Sequence, residues 1–319
     1  MTSSTLNDGY AYRSTVQRGG QSVLDFLCAE FRHSGREVWA ARLAAGEVTL
    51  DGVAVGGNEL LHAGQHLVWN RPPWPEEDVP LQFEVLHQDA DLLAVSKPSG
   101  LPTMPAGGFL KHTLLHLLRQ KWPTAAPLHR LGRGTSGVVL CALTNEAGAT
   151  LLQDWRTGQV RKTYLALAAG VAPQDFYDIQ TPIGPVPHAK LGQIYAANPA
   201  GKPSRSLARV LERREASTLF EVEILTGRPH QIRIHLASVG LPLLHDPLYG
   251  AGGLTFPDAL PSDLGYFLHA HTLQFRHPTT GEEMRVVAGP PEGFTSPFRR
   301  CAASSASQLC KSLSPERRG

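Results

Sequence analysis

The sequence has little cysteine and no long apolar run. Its four cysteines are spread over 319 residues without any C-x-x-C pair, which argues against a disulfide framework and a zinc knuckle. No stretch approaches the roughly 20 apolar residues that cross a bilayer. The first residues also lack the apolar centre of a secretory signal. We therefore predict a cytoplasmic globular protein with reduced thiols and no membrane span.

A strong excess of one charge is also absent. Thirty Lys and Arg face 28 Asp and Glu, a formal net charge of +2. Such a balance permits nucleic-acid binding without requiring it, because local clusters of charge matter more than the total. The length predicts two domains, since one domain usually takes about 100 to 200 residues.

The first part of the chain shows a pattern of two helices and a hairpin. Apolar residues after Ser22 fall on one helical face, and Gly46 ends a second helix. Asp51 and Gly52 then stand between alternating apolar residues, which is a strong hairpin signal. We predict a small module over residues 21–70.

The rest of the chain is a larger domain with flanking segments. Residues 71–80 are rich in proline and acids, as in a linker. Beyond them, short alternating strands and two helical patterns follow each other without strict alternation, which predicts an α+β domain over residues 81–292. Residues 1–20 and 293–319 are polar and are expected to form a flexible N-terminus and a disordered tail.

Five motifs lie in this larger domain. They are KPSGLPTM from Lys97, HRLGRGTSG from His129, RKTYLALAAG from Arg161, GRPHQIRIHLASVGLPLLHDPLYG from Gly227 and LHAHTLQFRHPTTGE from Leu268. In this order they resemble the RluA-type RNA pseudouridine synthases, and several motifs in order are far more specific than one alone. The resemblance covers about residues 81–292.

The resemblance implies a mixed, mainly antiparallel sheet that isomerises uridine to pseudouridine in ribosomal or transfer RNA, without a metal or cofactor. The target base is turned out of the stack into a pocket. In this family an aspartate of the pattern H-R-L-D-R-x-T-S-G acts on the nucleotide, a tyrosine stacks on the base, and an arginine holds the aspartate ionised. The tyrosine corresponds to Tyr164 and the arginine to Arg233, but the aspartate position is Gly132.

Glycine at position 132 has chemical consequences. It has no group that attacks carbon or abstracts a proton, and Arg233 loses the carboxylate expected beside it. We expect Arg233 to bind an RNA phosphate instead. Two acids, Asp154 and Asp246, are minor candidates for a replacement nucleophile. Two hypotheses remain: an active synthase, which the extent of the resemblance favours, and an RNA-binding protein that kept the scaffold without its chemistry.

Other residues are expected to contact structured RNA, in a protein expected to be a monomer. The first module resembles a ribosomal-protein-type, S-four-like RNA-binding domain, although a plain packing module with solvated arginines is the alternative. Basic side chains bind phosphates and fix the register of the RNA. We expect Lys162 to share one strand face with Tyr164, and one of Arg130 and Arg133 has the alternative role of capping the sheet. The predicted contacts are Arg32, Arg36, Arg42, Lys97, Arg130, Arg133, Lys162, Arg228, His230 and Gln231.

Overall fold

The computed structural model describes residues 6–294, which form two compact units. The first contains residues up to 78 together with 108–111, and the second contains the remainder. The boundary after residue 78 falls inside the predicted linker, whereas the contribution of 108–111 to the first unit was not predicted. The predicted tail lies outside the described residues, except for its first two positions.

The first unit contains the predicted helices and hairpin and two unpredicted strands, β1 and β4. Residues expected to belong to a flexible terminus form β1, which pairs antiparallel with β4 at the edge of a sheet ordered β1-β4-β2-β3. The fully buried ring of Trp39 lies in the core between the helices and this sheet. The elements are β1 (Tyr10–Thr15), α1 (Val23–Glu30), α2 (Arg36–Ala44), β2 (Val48–Leu50), β3 (Val53–Ala54) and β4 (His66–Arg71).

The second unit confirms the mixed, mainly antiparallel α+β class. Its ten-stranded sheet has the path β10-β13-β14-β9-β15-β8-β6-β5, with β16 beside β15 and β7 beside β8, and a separate hairpin joins β11 and β12. The elements are β5 (Glu84–Gln88), β6 (Leu92–Lys97), α3 (Leu114–Lys121), β7 (Ala126–Pro127), β8 (Ser136–Ala142), α4 (Asn145–Arg156), β9 (Arg161–Ala169), β10 (Phe176–Ile179), β11 (Ile183–His188), β12 (Gly192–Ala197), β13 (Ser206–Arg213), β14 (Ser217–Ile224), α5 (Gln231–Ser238), β15 (Leu268–Arg276) and β16 (Glu283–Val287).

The centre of this sheet positions the motifs. The strands β8 and β15 pair in parallel at Ser136 and Gly137. Gly137 has φ +110°, and a Cβ there would overlap the carbonyl of Ala270, so only glycine permits this close approach. The neighbouring strand β9 carries Tyr164 opposite Ala270. The strand β15 therefore lies between β8, which follows the motif loop, and β9, which bears the expected stacking tyrosine.

Candidate active site

A loop between β7 and β8 contains the motif of residues 129–137. At its start, His129 Nε2 accepts a hydrogen bond from the amide of Leu140 over 3.0 Å. Burial, assisted by the charge of Lys162, lowers the pKa of His129 to about 3, so the ring stays neutral and able to accept. His129 thus attaches the loop to β8.

A second loop, residues 97–103, holds the motif loop by its backbone. The hydroxyl of Ser99 donates to the carbonyl of Gly134 over 2.8 Å. The hydroxyl of Thr103 donates to the carbonyl of Leu131 over 3.0 Å and accepts from the Leu131 amide over 3.2 Å. Buried polar backbone groups need such partners. Two motifs that are separate in sequence therefore form one frame.

Lys97 belongs to this frame, and the prediction that it contacts RNA is wrong. Its side chain is fully buried. Its ammonium donates to the carbonyls of Pro98, Leu101 and Arg133 at 2.9, 2.6 and 3.3 Å. Since an ammonium has three hydrogens, this set leaves none for a phosphate.

The burial of Lys97 predicts a pH dependence of stability. Burial, and to a smaller extent Arg133, lowers the pKa of Lys97 to about 7, against about 10.4 in an unfolded chain. Between these values the unfolded chain binds more protons, so stability rises with pH, by at most about 1.4 kcal/mol per unit. We expect urea denaturation to show this rise for the parent protein but not for Lys97→Met. Equal pH slopes would contradict it.

Gly132 is exposed at the turn of the motif loop. Its φ lies outside the left-handed region, and an added Cβ would lie 3.1 Å from Tyr266 Oη and 3.5 Å from Thr135 Oγ1. The backbone therefore does not require glycine at this position. The first atoms that a side chain here would meet are two hydroxyl oxygens.

Tyr266 fills the space beside the two glycines of the loop. A Cβ at Gly134 would approach the Tyr266 ring to 2.9 Å, so the ring needs glycine there. The Tyr266 hydroxyl lies 3.3 Å from Thr135 Oγ1, and its ring centroid is 4.1 Å from the guanidinium carbon of Arg233. Sequence reasoning missed Tyr266, because only the fold brings it to the motif loop.

The guanidinium of Arg233 binds Asp246, so the prediction that it turns to an RNA phosphate is wrong. Two hydrogen bonds of 2.8 Å join the groups, and the side chains are 2% and 0% exposed. Burial alone would lower the pKa of Arg233, but the hydrogen bonds of Asp246 reverse the effect and raise it. Arg233 also donates to the carbonyl of Pro261. It is a buried structural cation between the Tyr249 and Tyr266 rings.

Neither acid considered as a replacement nucleophile is placed for that role. Asp246 accepts hydrogen bonds from Arg233 and from the amides of Leu248 and Tyr249. A carboxylate held in this way is not free to attack. Asp154 lies on α4, and no contact joins it to the motif loop within residues 6–294.

Tyr164 and Lys162 have different surroundings, although both were expected to face one cleft. Tyr164 is buried in a core cluster that also contains Leu131 and Tyr266, and burial raises its pKa to about 12. The ammonium of Lys162 instead lies 5.1 Å from the ring centroid of Trp155. Tyr164 therefore belongs to the core that includes Leu131 of the motif loop, whereas Lys162 lies outside it, near Trp155 and close enough to His129 to act on its pKa.

Of four further side chains expected to contact RNA, three at or before the start of α5 are held by hydrogen bonds within the protein, and Arg130 of the motif loop is exposed. Gln231 is buried and makes four hydrogen bonds that fix the start of α5, which contradicts an RNA role. His230 binds the Tyr249 hydroxyl, and burial lowers its pKa to about 4. Arg228 donates to the Pro203 carbonyl. Arg130 is exposed.

Arg133 and the arginines of the first unit also include both side chains held by internal contacts and exposed side chains. Arg133 donates to the carbonyl of Gly100, so it supports the frame. Arg42 lies over the rings of Trp39 and Trp69 at 4.6 and 4.2 Å, and its predicted phosphate contact is replaced by this packing. Arg36 forms an exposed pair with Asp25, while Arg32 is exposed.

Within residues 6–294 there is no group of three or more metal-ligating side chains. No helix in the same part of the chain has the length and apolar character needed to cross a membrane.

The sequence matches known synthases. Residues 91–238 match the model of the RNA pseudouridylate synthase family. The chain is 44% identical to an uncharacterized RNA pseudouridine synthase of Synechocystis sp., covering 88% of this chain and 98% of that protein. It is 38% identical to RNA pseudouridine synthase 5 of Arabidopsis thaliana, covering 90% and 94%, and 34% identical to ribosomal large subunit pseudouridine synthase D of Pseudomonas aeruginosa, covering 86% and 90%.

Solved structures agree on the fold. Human RNA pseudouridylate synthase domain containing 1 superposes with a TM-score of 0.55 at 23% identity, covering 76% of this chain and all of that one. The chain belongs to the RNA pseudouridine synthase family, whose members are isomerases. The predictions of the family and of its enzyme class are confirmed, and none of these matches supports the alternative of a binding protein without activity.

Proposed function

We propose that the protein converts uridine to pseudouridine in structured RNA, with large-subunit ribosomal RNA as the first candidate. The frame of residues 97–103 and 129–137 carries this proposal, because it presents an exposed Gly132 beside Tyr266, and Leu131 of the same loop belongs to one core cluster with Tyr164. Relatives named for the ribosomal large subunit support the choice of RNA.

The experiment is pseudouridine analysis of defined transcripts. Large-subunit ribosomal RNA and transfer RNA made by transcription contain no pseudouridine before incubation. We expect nucleoside mass spectrometry to detect pseudouridine in the ribosomal transcript after treatment with the purified full-length chain. Formation only in transfer RNA would overturn the choice of RNA, and no formation in either would overturn the proposed function.

Arg130 is the exposed arginine of the motif loop, and its charge reaches His230. We expect Arg130→Ala to weaken RNA binding at all sequences and to reduce the salt slope of log K by about 1, as for one phosphate contact. Arg209→Ala is the control, since Arg209 is also exposed but is already paired with Glu221. Filter binding at several salt concentrations measures the RNA affinity and its salt slope. Equal slopes for the two variants would contradict a contact between Arg130 and a phosphate.

The first unit acts as an S-four-like RNA-positioning module in this proposal. Its exposed Arg32 and Arg36 support the role, because the surface pair of Arg36 with Asp25 is weak and exchangeable. Each unit has its own buried core, which supports a monomer, and the proposed location is the cytoplasm. Loss of RNA affinity in an Arg32→Ala, Arg36→Ala variant tests the module.

A further inference from the structure

The geometry points to Tyr266 as the residue that takes the place of the missing carboxylate and acts on the nucleotide. This inference rests on the proposed function. Its basis is that Tyr266 Oη lies 3.1 Å from the point where a side chain at position 132 would begin. Among the described residues, no carboxylate is recorded at that point, and Asp246 is committed to Arg233.

The loop is built to admit the phenol. Gly134 leaves room for the ring, which a Cβ would approach to 2.9 Å, and Gly132 leaves room for the hydroxyl. Thr135 Oγ1 lies 3.3 Å from the hydroxyl, and Arg233 lies over the ring. The phenol is thus fixed on three sides.

The hydroxyl borders an exposed part of the loop. Tyr266 as a whole is 6% exposed, and a nucleotide would reach its oxygen past Gly132, which is exposed and has no side chain. Tyrosine is an established type of nucleophile toward sugar carbons, as in sialidases. The guanidinium carbon of Arg233 lies 4.1 Å from the centroid of the same ring and holds it in place.

The reaction balances with this residue alone. Tyr266 Oη bonds to C1′ of the target ribose as the C1′–N1 bond breaks, and the phenol proton passes to N1 of the departing uracil. The uracil then turns, C5 bonds to C1′, and the C1′–Oη bond breaks. The phenolate takes the C5 proton, which leaves pseudouridine with hydrogen on N1 and restores Tyr266.

The test compares Tyr266→Phe with the parent protein in single-turnover tritium release from RNA labelled at C5 of uridine. Phenylalanine keeps the ring between Gly134 and Arg233 and removes only the oxygen. We expect at least about a hundredfold slower release, with RNA binding unchanged. Tyr177→Phe is the matched control, because Tyr177 packs against the same core and its hydroxyl accepts a hydrogen bond from the amide of Gln174, away from the motif loop. It should release tritium at the parent rate.

A second measurement does not depend on a variant. Denaturation of the parent protein during a single turnover should capture RNA joined through C1′ to the peptide that contains Tyr266, because that bond lasts until C5 bonds to C1′. An adduct on another residue, no adduct in a protein that turns over, or Tyr266→Phe within about threefold of the parent rate would overturn the inference and leave the proposed function standing. No release by the parent protein on any RNA would overturn the proposed function as well.

Discussion

Replacement of Asp246 by asparagine is expected to lower the free energy of unfolding of the second unit by about 3–5 kcal/mol. The change leaves the guanidinium of Arg233 buried without a counter-charge, and both side chains are almost wholly shielded from water. Asp246 also accepts from two backbone amides that follow it. Urea denaturation followed by circular dichroism measures the loss.

The matched control for this loss is Asp178→Asn. Asp178 makes the same two-bond contact with Arg205, at 2.9 and 2.8 Å, but the pair is 33% and 48% exposed. Exposed pairs contribute little to stability, so a much smaller loss is expected at Asp178. If the two variants lose similar amounts of unfolding free energy, burial does not give the pair of Arg233 and Asp246 its importance for stability.

The second large effect is a rescue of activity. The double variant Gly132→Asp, Tyr266→Phe is expected to release tritium at least about tenfold faster than Tyr266→Phe alone. An added side chain at 132 meets Tyr266 Oη first, at 3.1 Å. The phenylalanine removes that oxygen, so the next neighbour is Thr135 Oγ1 at 3.5 Å, which is ordinary contact. The introduced carboxylate then occupies the position of the family's nucleophile.

Gly132→Asn in the same Tyr266→Phe background separates chemistry from packing. Asparagine has nearly the shape of aspartate but no charge to attack with. Tritium release should therefore return with aspartate alone. Equal rescue by both residues would mean that the loop needed volume at 132, and no rescue by either would mean that position 132 no longer faces the reacting carbon.

The motifs allowed the fold class and the family to be predicted, because their strand patterns and glycines can be read directly from the sequence. Gly137 is one of these glycines, although the contact with Ala270 of β15 that requires it is visible only in the fold. The strand β1 was not predicted, since its partner β4 lies about 60 residues further along the chain, and a polar edge strand has little signal of its own.

The site was harder to predict because side-chain partners are set by the tertiary fold. Lys97, Arg42 and Gln231 were expected at the RNA surface from their polar character. The fold gives each a set of internal acceptors, donors or aromatic rings. The pairing of Arg233 with Asp246 spans only 13 residues but depends on the turn after α5. Tyr266 carried no signal in the sequence, since its role follows from two glycines more than 130 residues earlier.

Isomerisation of uridine by a chain with glycine at position 132 is measured by single-turnover release of tritium from C5-labelled large-subunit ribosomal RNA. With the parent protein in excess over RNA, we expect release in proportion to the pseudouridine formed. Tight binding of that RNA without release would contradict it and would identify a scaffold that holds RNA without reacting.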